Sequence, residues 1–97
     1  MTAPRGKMAE ILARGLVKER LAACVNIVPG VWSHYRWKGR LCRDAEGLLL
    51  VKTSTAKLPA LQRYISAHHP YSVPEVLAFR VLAGSKTYLH WLAEQVR

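Results

Sequence analysis

The chain begins with a helical spacing of hydrophobic positions. An apolar stripe with a period near 3.6 is formed by Met8, Ile11, Leu12, Gly15 and Leu16. Such a stripe is typical of an amphipathic helix that buries one face. The pattern predicts a helix over residues 6–20, although Arg5 and Lys7 occupy the start, where capping and acidic side chains are favoured.

A strand pattern replaces the helical one. Ala22–Ile27 is apolar and partly β-branched, and the alternating segment Val31–Trp37 follows a bulge at Pro29–Gly30. Lys38–Gly39 predicts a turn, and Leu48–Thr53 is apolar on both faces, which favours a central return strand. Together these segments predict a long β-hairpin.

The second half of the chain repeats the two patterns. A helix is predicted over residues 55–68, with Pro59 in its first turn and Pro70 as its stop. The alternating run Val73–Leu82 predicts a strand, and Ser85 is a favourable N-cap for a last helix.

The predicted order is helix, strand, strand, helix, strand, helix. One additional strand before the first helix completes the β-α-β-β-α-β arrangement of ferredoxin-like folds. We therefore predict a single α+β domain over residues 1–97, a ferredoxin-like sandwich with a long hairpin, a C-terminal helix and a truncated first strand.

Composition narrows the class of protein. Apolar residues make up 51% of the chain and charged residues 22%, which excludes a disordered chain. No apolar run is long enough for a transmembrane helix, and the first seven residues lack the apolar core of a signal peptide. Cys24 and Cys42 match no zinc-site spacing. A cytoplasmic location without membrane insertion is the expectation.

The net charge of +9 arises from 15 basic and six acidic residues. Such an excess suits an anionic partner such as nucleic acid, or a solvated surface with scattered basic residues. No short Lys/Arg-rich run is present, which favours the scattered surface.

Five segments, in order along the chain, resemble the CutA divalent-cation tolerance family. They are Glu19–Gly30, Tyr35–Gly39, Leu48–Thr53, His69–Tyr71 with Val73–Glu75, and Tyr88–Leu89 with Trp91–Leu92. The resemblance implies a ferredoxin-like fold and a cytoplasmic homotrimer whose hairpins pair across subunits. It also implies a role in tolerance of copper and other divalent cations, without enzyme activity.

The chain departs from the family pattern at several positions. Trp32 and His34 replace a small hydroxyl residue and an aliphatic one, Gly47 replaces an apolar residue, and Arg5–Gly6–Lys7 replaces a serine and acids. Only Met1–Pro4 remains of a first strand that the family fold places between the strands at 48–53 and 73–82. We therefore expect that Met1 is not the native start and that an apolar strand is encoded upstream.

The resemblance indicates a Cu(II) site at His68 and His69. The chemistry agrees, because neutral imidazole is a favourable ligand for Cu(II). A cysteine that accompanies these histidines in the family falls at Met1 here, so that ligand is lost. Cys24 is a further candidate, because a thiol can bind Cu(I). The alternative is structural. Histidines at a helix end can bond the last carbonyls, and a mid-strand cysteine is commonly buried and inert.

Two other function classes remain open. The resemblance of the family to PII signalling proteins allows a small-molecule sensor or adaptor that uses the clefts between subunits. Four aromatic residues could form a ligand pocket or, as is more common, anchor the core or an interface: Tyr35, Trp37, Tyr71 and Trp91. A basic nucleic-acid-binding domain is disfavoured, because the Leu48–Thr53 strand lacks the aromatics with which RRM-type sheets stack bases. No nucleotide-binding or zinc-protease motif supports catalysis.

Overall fold

Three strands and three helices make up the structure, a computed structural model that describes residues 1–97. The strands are β1 (Thr2–Pro4), β2 (Cys24–Trp37) and β3 (Arg40–Lys52). The helices are α1 (Lys7–Lys18), α2 (Leu58–His68), which follows a 3₁₀ turn at Thr55–Lys57, and α3 (Lys86–Gln95). The strands form one antiparallel sheet in the order β1-β3-β2, which confirms the predicted α+β class.

The predicted hairpin is confirmed and is longer than its apolar part. Lys38 and Gly39 both have positive φ, 50° and 78°, as a two-residue turn that matches the strand twist requires. The pairing register shifts between Val28 and Val31, so Pro29–Gly30 forms the predicted bulge. The return strand begins at Arg40 and not at Leu48, because residues 40–47, in which apolar and charged side chains are mixed, continue the pairing with β2 beyond the core.

The core lies between the sheet and helices α1 and α2. Ala9, Leu12 and Leu16 of α1 are buried, and Leu12 packs with Ala3 and Leu49 of the sheet. Ile11, predicted on the buried stripe, is 58% exposed. The buried face of α1 is rotated towards Ala9, since a small side chain there allows the helix to lie close to the sheet.

Helix α2 packs on the other part of α1. Its buried Leu61 and Ile65 contact Leu16 and residues just before β2. A Cβ atom at Gly15 would overlap the hydroxyl of Tyr64. Glycine at this position therefore permits the close approach of the two helices.

Strand β1 lies beside β3, as the resemblance implies. Thr2 pairs with Leu48. The Met1 amino group donates a hydrogen bond to the Leu49 carbonyl at 3.1 Å, and the Leu49 N–H donates to the Met1 carbonyl at 2.7 Å. The backbone groups at the start of the chain that face β3 are thus hydrogen-bonded to it.

The predicted strand over Val73–Leu82 is wrong for this chain. Residues 74–85 have no regular secondary structure, and no backbone–backbone hydrogen bond involves residues 72–83. Leu77, Phe79 and Leu82 are exposed. The alternating pattern predicts an extended backbone, but a strand also needs a partner, and β1 is only three residues long. We call residues 73–82 the apolar segment.

The last helix forms as predicted. The Ser85 side chain accepts a hydrogen bond from the Tyr88 N–H at 3.2 Å, which satisfies one of the helix's first amide groups. Leu92 and Val96 pack on Ala23 just before β2. None of the helices has the length and apolar character needed to cross a membrane.

Candidate functional site

His69 follows the last residue of α2 and is only 7% exposed. Its Nδ1 lies 3.1 Å from the backbone N–H of Tyr71, and its Nε2 lies 2.9 Å from the carbonyl oxygen of Thr2. Because the Tyr71 N–H can only donate, Nδ1 is the acceptor and Nε2 carries the proton that bonds Thr2. The ring is therefore a neutral link between β1 and the chain after α2, and both nitrogens are engaged.

His68 has a different environment. It is exposed at the end of α2, and its ring stacks on Tyr64 with centroids 3.9 Å apart. Its Nδ1 lies 2.8 Å from the Tyr64 carbonyl oxygen, so Nδ1 carries the donated proton. The Nε2 lone pair is left available on the solvent side, which is the arrangement that a metal-ligating imidazole uses.

Cys24 is the first residue of β2 and is half-buried beside α3. Burial and, to a smaller degree, the neighbouring Cys24 thiol raise the pKa of Tyr88 above its usual range. Cys24 pairs with Lys52, whereas Thr2, the partner of His69, pairs with Leu48. Lys52 and Leu48 are four residues apart on β3, so the two pairs are separated by about 13 Å along the strand, at ~3.3 Å per residue.

The three predicted metal ligands therefore do not meet around one point in this chain. No group of three or more His, Cys, Asp or Glu side chains is placed to hold a metal ion. Of the predicted residues, His68 alone has a ring nitrogen open to solvent, and His69 is linked to Thr2 and Tyr71.

The structure adds an acid–tyrosine cluster that the sequence did not reveal. Glu46 is 6% exposed and accepts a hydrogen bond from the Tyr71 hydroxyl at 2.8 Å. Asp44 accepts a hydrogen bond from the Tyr35 hydroxyl. Asp44 and Glu46 are two residues apart on β3 and so share one face of the sheet. The alternation along β3 is a sequence signal that places Asp44 and Glu46 on one face. No local pattern links them to Tyr71, because Tyr71 is distant in sequence.

Both tyrosines hold their protons more tightly than usual. Burial and then the hydrogen bond to Glu46 raise the pKa of Tyr71. The hydrogen bond to Asp44 raises the pKa of Tyr35 to about 12. The hydroxyls therefore act as neutral donors that hold the two carboxylates on the sheet face away from α1.

The sequence matches the protein family described as "CutA1 divalent ion tolerance protein" over residues 1–95. It is 51% identical to the "Divalent-cation tolerance protein CutA" of Thermus thermophilus over 94 residues, which cover 97% of this chain and 91% of the relative. It is 44% identical to "Protein CutA, chloroplastic" of Arabidopsis thaliana, and the match covers all of this chain but 53% of that relative.

Solved structures of CutA proteins superpose closely on this chain. The Thermus thermophilus protein superposes with a TM-score of 0.96 at 50% identity, over 99% of this chain and 93% of the other. A structure described as a "Periplasmic divalent cation tolerance protein CutA" from Archaeoglobus fulgidus gives 0.95 at 35% identity, over 99% and 93%. A "PII-like protein CutA" from Nostoc sp. gives 0.91 at 36% identity, over 99% and 92%. This chain therefore belongs to the CutA1 divalent ion tolerance protein family.

Proposed function

We propose that this chain acts in divalent-cation tolerance by binding Cu(II) as a homotrimer, in a binding rather than a catalytic role. The family match over residues 1–95 and the name of the Thermus thermophilus relative support the cation role. The exposed apolar segment is the observation that carries the assembly.

The apolar segment has exposed apolar side chains and an unpaired backbone, as an unpaired β-strand would. Phe79 is 87% exposed and Leu82 is 98% exposed, and the backbone groups of residues 72–83 have no backbone partner in the chain. Val28 and Leu50 are also exposed on the sheet. A neighbouring copy that pairs with the segment would satisfy its amide groups and bury these side chains.

The assembly is tested by light scattering. We expect a mass about three times 10.9 kDa at micromolar concentration. Phe79→Asp should give a smaller species, because it places a charge in the proposed contact. Gln62→Asp, on the exposed face of α2, is the matched control and should remain trimeric. A monomeric unaltered protein would contradict the proposal.

His68 is the first ligand of the proposed copper site. Its open Nε2 can bind Cu(II) without loss of the Nδ1 contact to Tyr64. His69 would have to release the Tyr71 N–H to present its Nδ1 lone pair. We therefore propose His69 as a weaker contributor, with further ligands from other copies in the trimer, and Cys24 as a separate thiol site for copper.

Titration calorimetry with Cu(II) tests the site. We expect His68→Ala to abolish binding, and acid below about pH 6 to weaken it, because protonated imidazole cannot ligate metal. His90→Ala removes another exposed histidine, on α3, and should leave binding unchanged. Unchanged affinity in the His68→Ala/His69→Ala double variant would place the site elsewhere.

A second candidate function is small-molecule sensing. The likeness to the Nostoc protein described as PII-like favours it, as does the buried Glu46 that Tyr71 holds on the exposed sheet face. Thermal shift with nucleotides and small cationic metabolites tests this function, because a ligand bound at a hundred times its Kd stabilises by ~2.7 kcal/mol. Glu46→Gln should remove the shift, and its persistence would contradict this site.

We propose a cytoplasmic location. The names of relatives include a chloroplastic and a periplasmic protein, so location differs within the family. Cell fractionation tests it, and recovery of the intact chain from an oxidising compartment would contradict it.

A further inference from the structure

One face of the hairpin continues the helix-covered side of the sheet past the end of the core. The pairing places Trp32 opposite Ala45, His34 opposite Arg43 and Arg36 opposite Leu41. Ala45 alternates with Gly47 on β3, and a Cβ at Gly47 would lie 3.5 Å from Ala9 of α1. We call Trp32, His34, Arg36 and Arg43 the hairpin patch.

The hairpin patch presents an aromatic ring beside positive charge. The Arg43 guanidinium lies 3.9 Å from the centroid of the Trp32 ring, and Trp32 remains 54% exposed. A guanidinium stacked on a ring keeps its charge and its in-plane N–H donors. The ring is held by Arg43 on one side and can stack with a planar ligand on the other.

No carboxylate neutralises this charge. The salt bridges of the chain join the Met1 amino group to Glu75 and His90 to Glu94, so no Lys or Arg is paired. Residues 28–43 contain no acid. The nearest acids along the hairpin, Asp44 and Glu46, lie on the opposite face with Tyr35 and Tyr71.

The start of α1 extends the positive surface. The Arg5 Cα would lie 3.8 Å from a Cβ on Gly47, so the helix begins beside the base of the hairpin. Arg5 and Lys7 are both exposed, and the helix N-terminus adds a partial positive charge. Trp32, His34, Gly47 and residues 5–7 thus lie on the same side of the molecule.

We propose that the hairpin patch binds single-stranded nucleic acid, with a base stacked on Trp32 and phosphates on Arg36 and Arg43. Aromatic rings beside Arg side chains are the usual platform for unpaired bases. The bases of a duplex are already stacked on each other and cannot reach the ring.

This binding mode differs from the RRM type that the sequence disfavours, since it uses the hairpin and not the aliphatic Leu48–Thr53 strand. It is also independent of copper. Pairing of hairpins across subunits, which the family resemblance implies, would use the free backbone edge of β2, and the contacts of the apolar segment would use the opposite sheet face, which includes Leu50. Neither contact requires the side chains of the hairpin patch.

Fluorescence anisotropy with labelled oligothymidylate of about 20 nucleotides tests the proposal on the intact protein. Between about 50 mM and about 200 mM salt, we expect log K to fall with a slope near −1.4, as about two phosphate contacts on a single strand would give. Trp32→Ala should weaken binding about fivefold or more, and Trp32→Phe should recover part of the loss. Arg43→Gln should reduce the slope by about 0.7.

A matched control removes the same charge from a different surface of the molecule. Arg63→Gln removes the same charge from the exposed face of α2 and should have less effect than Arg43→Gln. Equal effects of the two variants would show diffuse attraction and overturn the proposal. Failure to bind at low salt, unchanged affinity in Trp32→Ala, or binding only to anionic phosphatidylglycerol vesicles would each overturn it as well. Light scattering on each variant confirms that assembly is unaltered.

Discussion

His69→Ala separates the structural role of this histidine from its proposed role as a ligand. The substitution removes the hydrogen bonds to Thr2 and Tyr71. Each such bond contributes ~1 kcal/mol net, and a buried partner left without its bond adds to the loss. His69 is 7% exposed, so loss of the ring also leaves a void. We expect the free energy of unfolding to fall by about 2–4 kcal/mol in the absence of any metal.

Two conservative variants divide that loss between the two bonds. Asn places an amide oxygen near the position of Nδ1 and can still accept from the Tyr71 N–H, whereas Gln places an amide N–H near Nε2 and can still donate to Thr2. We expect His69→Asn and His69→Gln each to recover part of the stability. His68→Ala removes one exposed contact with Tyr64 and should lower stability by less than about 1 kcal/mol.

Urea unfolding, followed by circular dichroism with a chelator present, measures these differences. The protein concentration must be the same for all variants, because assembly makes stability depend on it. A loss of about 2 kcal/mol corresponds to a fall in Tm of roughly 10 °C for a domain of this length. Equal stability of His69→Ala and the unaltered protein, or a larger loss in His68→Ala, would refute the assignment of His69 as the link between β1 and the end of α2.

Three further predictions concern the core, the polar cluster and the last helix. Leu12→Ala, which truncates a fully buried side chain, should lower the free energy of unfolding by about 2–5 kcal/mol in urea titrations; a loss under ~1 kcal/mol would contradict the described packing. The raised pKa of Tyr71 means that the folded state retains this proton more tightly, so its stabilisation is present below about pH 10 and is lost as pH rises through the higher folded-state value. The Tm of Tyr71→Phe should therefore fall less steeply above about pH 10 than that of the unaltered protein, and parallel curves would contradict the raised pKa of Tyr71 that burial and then the hydrogen bond to Glu46 produce. Ser85→Ala removes the cap on Tyr88 and should destabilise α3 by ~1 kcal/mol, measured against Ser85→Gly, which should lose only a few tenths.

Local signals predicted most of the fold. The turn at Lys38–Gly39, the bulge at Pro29–Gly30 and the cap at Ser85 each depend on the conformational preferences of one or two residues, and all three are confirmed. Ile11 shows the limit of periodicity. A spacing predicts which residues share a face, but the sheet that α1 meets decides how that face is rotated, and Ile11 is left exposed.

The apolar segment and the site depend on distant residues, which a pattern does not contain. Alternation in residues 73–82 predicts an extended backbone but says nothing about a partner strand. At His69, a bond to a nearby carbonyl could be expected for a histidine at a helix end, but its acceptor is the carbonyl of Thr2. The pairing of Glu46 with Tyr71 likewise arises only when β3 and the chain after α2 are brought together.

The unpaired backbone of the apolar segment makes amide exchange a direct report of subunit contact. The amides of β2 and β3 that pair across the hairpin are bonded within the chain, so their exchange is slowed whenever the subunit is folded. Amides of residues 72–83 have no backbone acceptor in the same chain, and in an isolated subunit they exchange at rates close to those of an unstructured peptide. Deuterium uptake in this stretch therefore measures the lifetime of the assembly separately from the stability of the fold, and it should slow as protein concentration rises.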